Sequence, residues 1–197
     1  RIAPGVPKNT VVAEAFRDAI NGVGDDWGDY PAIVPLVPSG AAAAAPHLTW
    51  DGRPFARGEA TTIEIAGCYR RYHAPLCRSV FLGAPPDEMK RAEDALLEGL
   101  EAGLEAARAG NQTRDVAAAL NGALSKIGIT RTARCGYPIG LSYPPAWGER
   151  TMSFRTEDDT VLEPNMTFHF MPGLWRDGWG LAITESIRIT ENGAAEC

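Results

Sequence analysis

Apolar residues recur at helical spacing over residues 87–109, where Met89, Ala92, Leu96, Leu100, Leu104 and Ala107 form one stripe and Gly110 ends it. A second stripe, Val116, Leu120, Leu124 and Ile127, predicts a shorter helix that starts near Thr113 and ends at Gly128. Close to the first residue, Val12, Ala15, Phe16, Ala19 and Ile20 keep the same period behind Asn9 or Thr10 as N-cap, with Gly22 and Gly24 as stops. The period changes to two in "ATTIEIAG", a β-branched, alternating segment punctuated by Gly67. It predicts one strand of a hairpin whose second strand closes at Gly83, the two lying around a Gly67-Cys68 turn. "NMTFHFMPG" and "GLAITESIRITENG" also read as strands. Alternation in the first of these puts His169 on the face opposite Phe168 and Phe170, together with Met171. The apolar "AIVPLVPSG" belongs to a Pro/Gly-rich connection, and the alanine run 41–45 that follows reads as a low-complexity loop.

The elements repeat an order. The first half runs helix, loop, alternating strand, second strand; the second runs helices, loop, "MTFHFMPG", then a strand closing near Gly193. Two helix-plus-hairpin halves predict an α+β fold, an internally duplicated domain whose strands curve into an antiparallel sheet with helices on its outer face. A concave inner face fed by both hairpins is where a ligand would sit.

Composition narrows the function classes. The formal charge is −6, from 19 Lys+Arg against 25 Asp+Glu, with the signs mixed, which argues against a nucleic-acid or anionic-membrane surface. No apolar run approaches the ~20 residues that span a bilayer, and no signal-peptide pattern opens the chain, so a cytoplasmic setting is expected. Cys68, Cys77, Cys135 and Cys197 lack metal-site or disulfide-framework spacing and read as free thiols. The chain starts at Arg1 without a methionine and stops just after a strand-like segment. A single domain over residues 1–197 is expected, as part of a longer polypeptide.

Candidate chemistry concentrates in residues 62–83, "TIEIAGCYRRYHAPLCRSVFLG", which hold Glu64, Arg70, Arg71, Arg78, His73 and two cysteines. A metal hydrolase would want two carboxylates on such a hairpin, and only one is present.

These segments, together with "PHLTW", "GYPIGLSYPP", "LEPNMTFHFMPG" and "ITESIRITENG", resemble the catalytic domain of the M24 "pita-bread" family, which includes aminopeptidases, prolidase and creatinase; the resemblance covers roughly residues 4–195. Its metal-dependent members hold two ions with two aspartates, a histidine and two glutamates. At the matching positions this chain has Glu64, Pro75, Tyr137, Met171 and Glu185, while Tyr143 takes the place of a following histidine. Proline, tyrosine and methionine supply neither carboxylate nor imidazole to a hard or borderline cation. The resemblance therefore implies the creatinase-like branch, which works without metal or other cofactor and breaks C–N bonds of small amidine or guanidine-type compounds.

On that footing Glu64, Glu185 and His47 are the expected catalytic residues. The carboxylates would face a planar amidinium, and a histidine of ordinary pKa ~6.5 would carry protons near neutrality. Attack by water and covalent attack by a glutamate both stay open. Tyr137, Tyr143, His169, Arg78 and His73 are candidate substrate contacts, with Arg78 or Arg71 expected to meet a substrate carboxylate. Each has a structural alternative: an ion-paired strand glutamate, a loop histidine bonded to backbone, a core tyrosine, and for His73 a packing or dimer contact. Cys77 reads as a small buried residue. A small-molecule substrate and a homodimer without nucleic-acid or membrane partners complete the expectation. A peptidase for proline-containing peptides with an altered metal site, and a catalytically inactive binding module, are the alternatives.

Overall fold

Helix α1 (Lys8–Asn21) begins directly after Pro7, one turn position earlier than an Asn9 or Thr10 cap would set it. Proline pre-sets the extended entry, and no side chain caps the helix. The computed structural model describes residues 1–197. Lys8, at the first helical position, is buried and donates to Asp51 Oδ1 at 2.6 Å, tying the helix to the segment before the first hairpin.

Strands β1 (Ala60–Tyr69) and β2 (Tyr72–Phe81) form that hairpin, with Glu64 opposite Cys77 and Ile63 opposite Arg78. Its turn is not Gly67-Cys68, which pair in the ladder with Ala74 and His73. Arg70 and Arg71 make the turn, both at positive φ (49° and 69°), the backbone of a two-residue hairpin loop whose twist matches the strands. Tertiary contacts hold Arg71 there. Its guanidinium lies between the rings of Tyr30 and Tyr143, 4.1 and 4.7 Å from their centroids, and donates to the carbonyls of Tyr30 and Ser142.

Helices α2 (Asp87–Ala106) and α3 (Thr113–Ser125) pack as the stripes require, and supply the largest core cluster with Leu96, Leu100, Val116, Leu120 and Leu124. Helix α2 stops short of Gly110 because the Asn111 side chain takes the Ala106 carbonyl at 2.9 Å. α3 likewise ends at Ser125, before Gly128. Two glycines on α2 let neighbours approach closely: a Cβ on Gly99 would lie 2.4 Å from Leu120, and one on Gly103 would lie 2.3 Å from the Phe170 ring. The second contact seats the helix on the strand that carries His169.

The remaining strands are β3 (Gly136–Pro138), β4 (Thr167–Phe170), β5 (Gly173–Arg176), β6 (Trp179–Ala182) and β7 (Glu185–Arg188). They form a β3-β4-β7 ladder and a β5-β6 hairpin, so the antiparallel framework comprises three ladders rather than one continuous sheet. Hydrogen bonds outside the ladders join them, among them Thr184 N–H to the Cys77 carbonyl at 3.2 Å, Ser186 Oγ to the Pro75 carbonyl at 2.8 Å and His73 N–H to the Gly140 carbonyl at 3.0 Å. The ladders curve around one interior cavity, with α2 and α3 outside. The alanine run is ordered as a 3-10 turn (Gly40–Ala44) with Ala43 fully buried, since a Cβ on Gly180 would stand 1.9 Å from the Ala43 carbonyl oxygen. All four cysteines are free, and no helix is long and apolar enough to cross a membrane.

Candidate active site

The cavity between the ladders has a volume of about 270 Å³. Glu64 and Cys77 enter it from the first hairpin, Tyr137 from β3, His169 from β4, Met171 just beyond β4, and Thr184 from the bend between β6 and β7. His47 closes one side from a loop position at φ 65°. Its charge, where present, opposes protonation of His169 across the cavity.

Glu64 is half-buried, its backbone locked by paired bonds to Leu36 at 2.9 Å. No side chain or backbone donor of the protein reaches its carboxylate, and no cation pairs with it. Burial alone pushes the carboxyl up to about 7. A carboxylate placed this way gains most from a ligand that brings positive charge and N–H donors.

Opposite in character is a hydrogen-bonded line of side chains. Trp147 Nε1–H donates to the Tyr137 oxygen at 3.0 Å, the Tyr137 hydroxyl meets His169 Nδ1 at 2.9 Å, and His169 Nε2 meets Thr184 Oγ1 at 2.7 Å. The Cys77 amide also donates to Thr184 Oγ1, at 2.7 Å. His169 is completely buried, and desolvation brings its pKa down to about 3, so the imidazole is neutral. Burial drives the Cys77 thiol and the Tyr137 phenol upward, so neither ionises near neutrality.

Two guanidinium groups reach the cavity. Arg131 is committed to the carbonyls of Met171, Gly173 and Arg134 at 2.7 to 3.1 Å. Arg134 lies over the Tyr137 ring, 4.6 Å from its centroid, with no acidic partner. It is the free cation of the site. Both arginines were missed from sequence, because they sit in an irregular loop with no period to orient them.

The expected site residues thus divide. His47, Glu64, Tyr137 and His169 converge on the cavity. Glu185 does not: it pairs with Arg78 on the far face of the hairpin, because Arg78 and its partner Ile63 point opposite to Glu64 and Cys77. The cavity-facing residue of "ITES" is Thr184, one position earlier. Arg78 donates to the carbonyls of Cys77 and Thr184 and so clamps the seam from outside. His73 is buried nearer the turn, with Nε2 accepting from Ala32 N–H at 2.9 Å and Nδ1 donating to the Arg71 carbonyl at 3.0 Å. Tyr143 is mostly exposed and stacks on Arg71, which pairs with Asp29, and neither residue lines the cavity.

A model of Metallopeptidase family M24 matches residues 1–191. The chain belongs to family M24. Ectoine hydrolase of Halomonas elongata is 61% identical to it over 202 residues, 98% of this chain and 50% of that protein. The uncharacterised hydrolase/peptidase y4tM of Sinorhizobium fredii is 38% identical over 192 residues, 97% of this chain and 49% of that protein. The chain spans about half the length of the curated relatives it matches. Prolidase from Pyrococcus furiosus superposes with a TM-score of 0.87 over 100% of this chain and 56% of its own, at 22% identity, which establishes the pita-bread fold.

The metal pair of M24 peptidases does not fit these residues. The cavity offers one carboxylate, Glu64; Tyr137 and Thr184 are tied to His169, Met171 is a soft thioether, and Pro75 has no donor. Both nitrogens of His169 are engaged by hydroxyls, and no three His, Cys, Asp or Glu side chains converge anywhere in the chain.

Proposed function

We propose that this chain carries the reaction cavity of an ectoine hydrolase, which opens the cyclic amidine of ectoine to N-acetyl-diaminobutyrate without a metal ion. The observation that carries this reading is Glu64, a half-buried carboxylate with no partner in the protein. Ectoine brings what that site lacks, a planar amidinium whose N–H edge can meet a carboxylate in paired hydrogen bonds. Its own carboxylate, on a saturated carbon of the ring, finds Arg134, the free cation of the cavity. The 61% identity to ectoine hydrolase of Halomonas elongata supports the same substrate.

Hydrolysis adds the oxygen of one water to the amidine carbon and breaks its bond to one ring nitrogen. Both water hydrogens end on the released nitrogen, which leaves as an ammonium. Glu64, ionised against the amidinium, supplies the negative charge beside that carbon, and His47 at the cavity edge carries protons to the departing nitrogen. The protein is proposed to act as a homodimer in the cytoplasm, on a small molecule and without nucleic acid, in keeping with its net charge of −6.

Turnover of ectoine, hydroxyectoine, creatine and an Xaa-Pro dipeptide by the intact protein, with and without chelator, tests the reading. Ectoine opening undiminished by chelator is expected. Stoichiometric metal in the active protein with loss of activity on chelation would overturn the metal-free mechanism. Failure to open ectoine would overturn the substrate.

A further inference from the structure

The hydrogen-bonded line from Trp147 to Thr184 can be read proton by proton. An indole N–H only donates, so Trp147 occupies one acceptor position of the Tyr137 oxygen. A neutral imidazole carries one N–H, so Tyr137, His169 and Thr184 together own three protons. The two bonds between them use two. One hydroxyl proton is always left over, at Thr184 or at Tyr137.

Acidity decides which. A phenol is a stronger acid than an aliphatic alcohol, so the bare imidazole nitrogen takes its hydrogen bond from Tyr137. His169 Nδ1 is then the acceptor and Nε2–H donates to Thr184 Oγ1. The Thr184 oxygen already accepts from the Cys77 amide as well, so its lone pairs are committed and its own proton has no acceptor in the protein. Thr184 is 3% exposed and lines the cavity, and Cys77 is the cross-strand neighbour of Glu64.

We propose that Thr184 is a catalytic hydrogen-bond donor, its hydroxyl aimed by the Trp147–Tyr137–His169 line at the oxygen that adds to the amidine carbon beside Glu64. The proposal rests on the amidine-hydrolase reading for the identity of that oxygen; the order of protons along the line rests on the hydrogen-bond geometry and on the relative acidity of phenol and alcohol, not on that reading. Tyr137 and His169 are positioning residues, since each acts through its neighbour. Burial keeps His169 neutral, which preserves the single N–H that the arrangement needs.

Two measurements test it. Nitrogen-15 NMR of histidine-labelled intact protein, with the signal assigned by its loss in His169→Gln, should report the Nε2–H tautomer from pH 5 to 9. The Nδ1–H tautomer, or an imidazolium near neutrality, would overturn the proton order and with it the role of Thr184. In kinetics, Thr184→Val should lower kcat by about 100-fold with KM changed less than about threefold, whereas Thr184→Ser keeps kcat within about threefold. Wild-type kcat in folded Thr184→Val, or a loss confined to KM, would refute the donor role. If the wild-type protein opens no amidine, the functional reading and the role of Thr184 in that reaction both fall, while the tautomer still decides the proton order.

Discussion

The amide of Cys77 donates to the hydroxyl oxygen of Thr184 at 2.7 Å, and the Thr184 amide donates back to the Cys77 carbonyl at 3.2 Å. This pair of bonds sews the first hairpin to the bend between β6 and β7. It also sets which side chains of each segment face the cavity, Glu64 and Thr184, and which face outward, Arg78 and Glu185.

The two glutamates should therefore behave differently. Glu64→Gln keeps the shape and removes the charge proposed to face an amidinium, and a loss in kcat/KM of about 1,000-fold or more is expected. Glu185→Gln breaks only a partly exposed ion pair with Arg78 and should keep activity within about tenfold, with stability lowered by about 1 kcal/mol or less. Equal losses in steady-state assays of the two variants would contradict the placement.

The raised carboxyl of Glu64 gives a signed pH dependence. In the free enzyme kcat/KM should fall as pH drops through about 7, where the carboxylate takes a proton. The kcat profile should fall at lower pH, because a bound amidinium favours the ionised form. For folding the sign is reversed. The folded pKa lies above the unfolded one, so the native state holds more protons between about 4.5 and 7 and loses stability as pH rises through that window. Glu64→Gln should thus unfold later than wild type at pH 8, by about 1–3 kcal/mol in denaturant titrations, and match it near pH 4.

Arg134, which lines the cavity without an acidic partner, is proposed to meet the substrate carboxylate. Arg134→Met should raise KM for ectoine by about 10- to 100-fold with a smaller change in kcat, the loss of one charged hydrogen-bonded contact. An amidine lacking the carboxylate should bind wild type and variant alike in calorimetry.

Gly103 on α2 controls the seat of β4. A methyl there would intrude on the buried Phe170 ring at 2.3 Å, so Gly103→Ala should destabilise by about 1–3 kcal/mol despite the better helix propensity of alanine. Thermal unfolding with a helical signal checks this, and a more stable variant would mean that helix and strand can separate freely.

Lys8 and Asp51 form a pair in which only the lysine is buried, and the Lys8 bond, ahead of those from Arg53, holds the Asp51 carboxyl down at about 2. The folded pKa lies below the unfolded value, so this contribution is complete above about 4 and is lost as pH falls toward 2. Asp51→Asn should cost about 1 kcal/mol or less at pH 7, the carboxylate being part-exposed and screened, and progressively less as pH falls through about 2.

The sequence by itself determined the helices α2 and α3, the alternating hairpin strands and the inward phase of His169, because these depend on local periodicity alone. Family resemblance to the M24 domain added His47, Glu64 and Tyr137 at positions that the fold brings to one cavity. Tertiary structure decided the rest. Gly67 looked like a turn, yet the turn is Arg70-Arg71, because rings and carbonyls elsewhere in the chain hold Arg71 at positive φ. "ITES" contains a glutamate that reads as functional. The break between β6 and β7 fixes its register against Phe170, and so it is Thr184 that turns inward. A one-residue phase is invisible in a short polar segment, since either register satisfies the local pattern. The unpartnered state of Glu64 is likewise not local. It exists only because three ladders close around the carboxylate and bring it no cation.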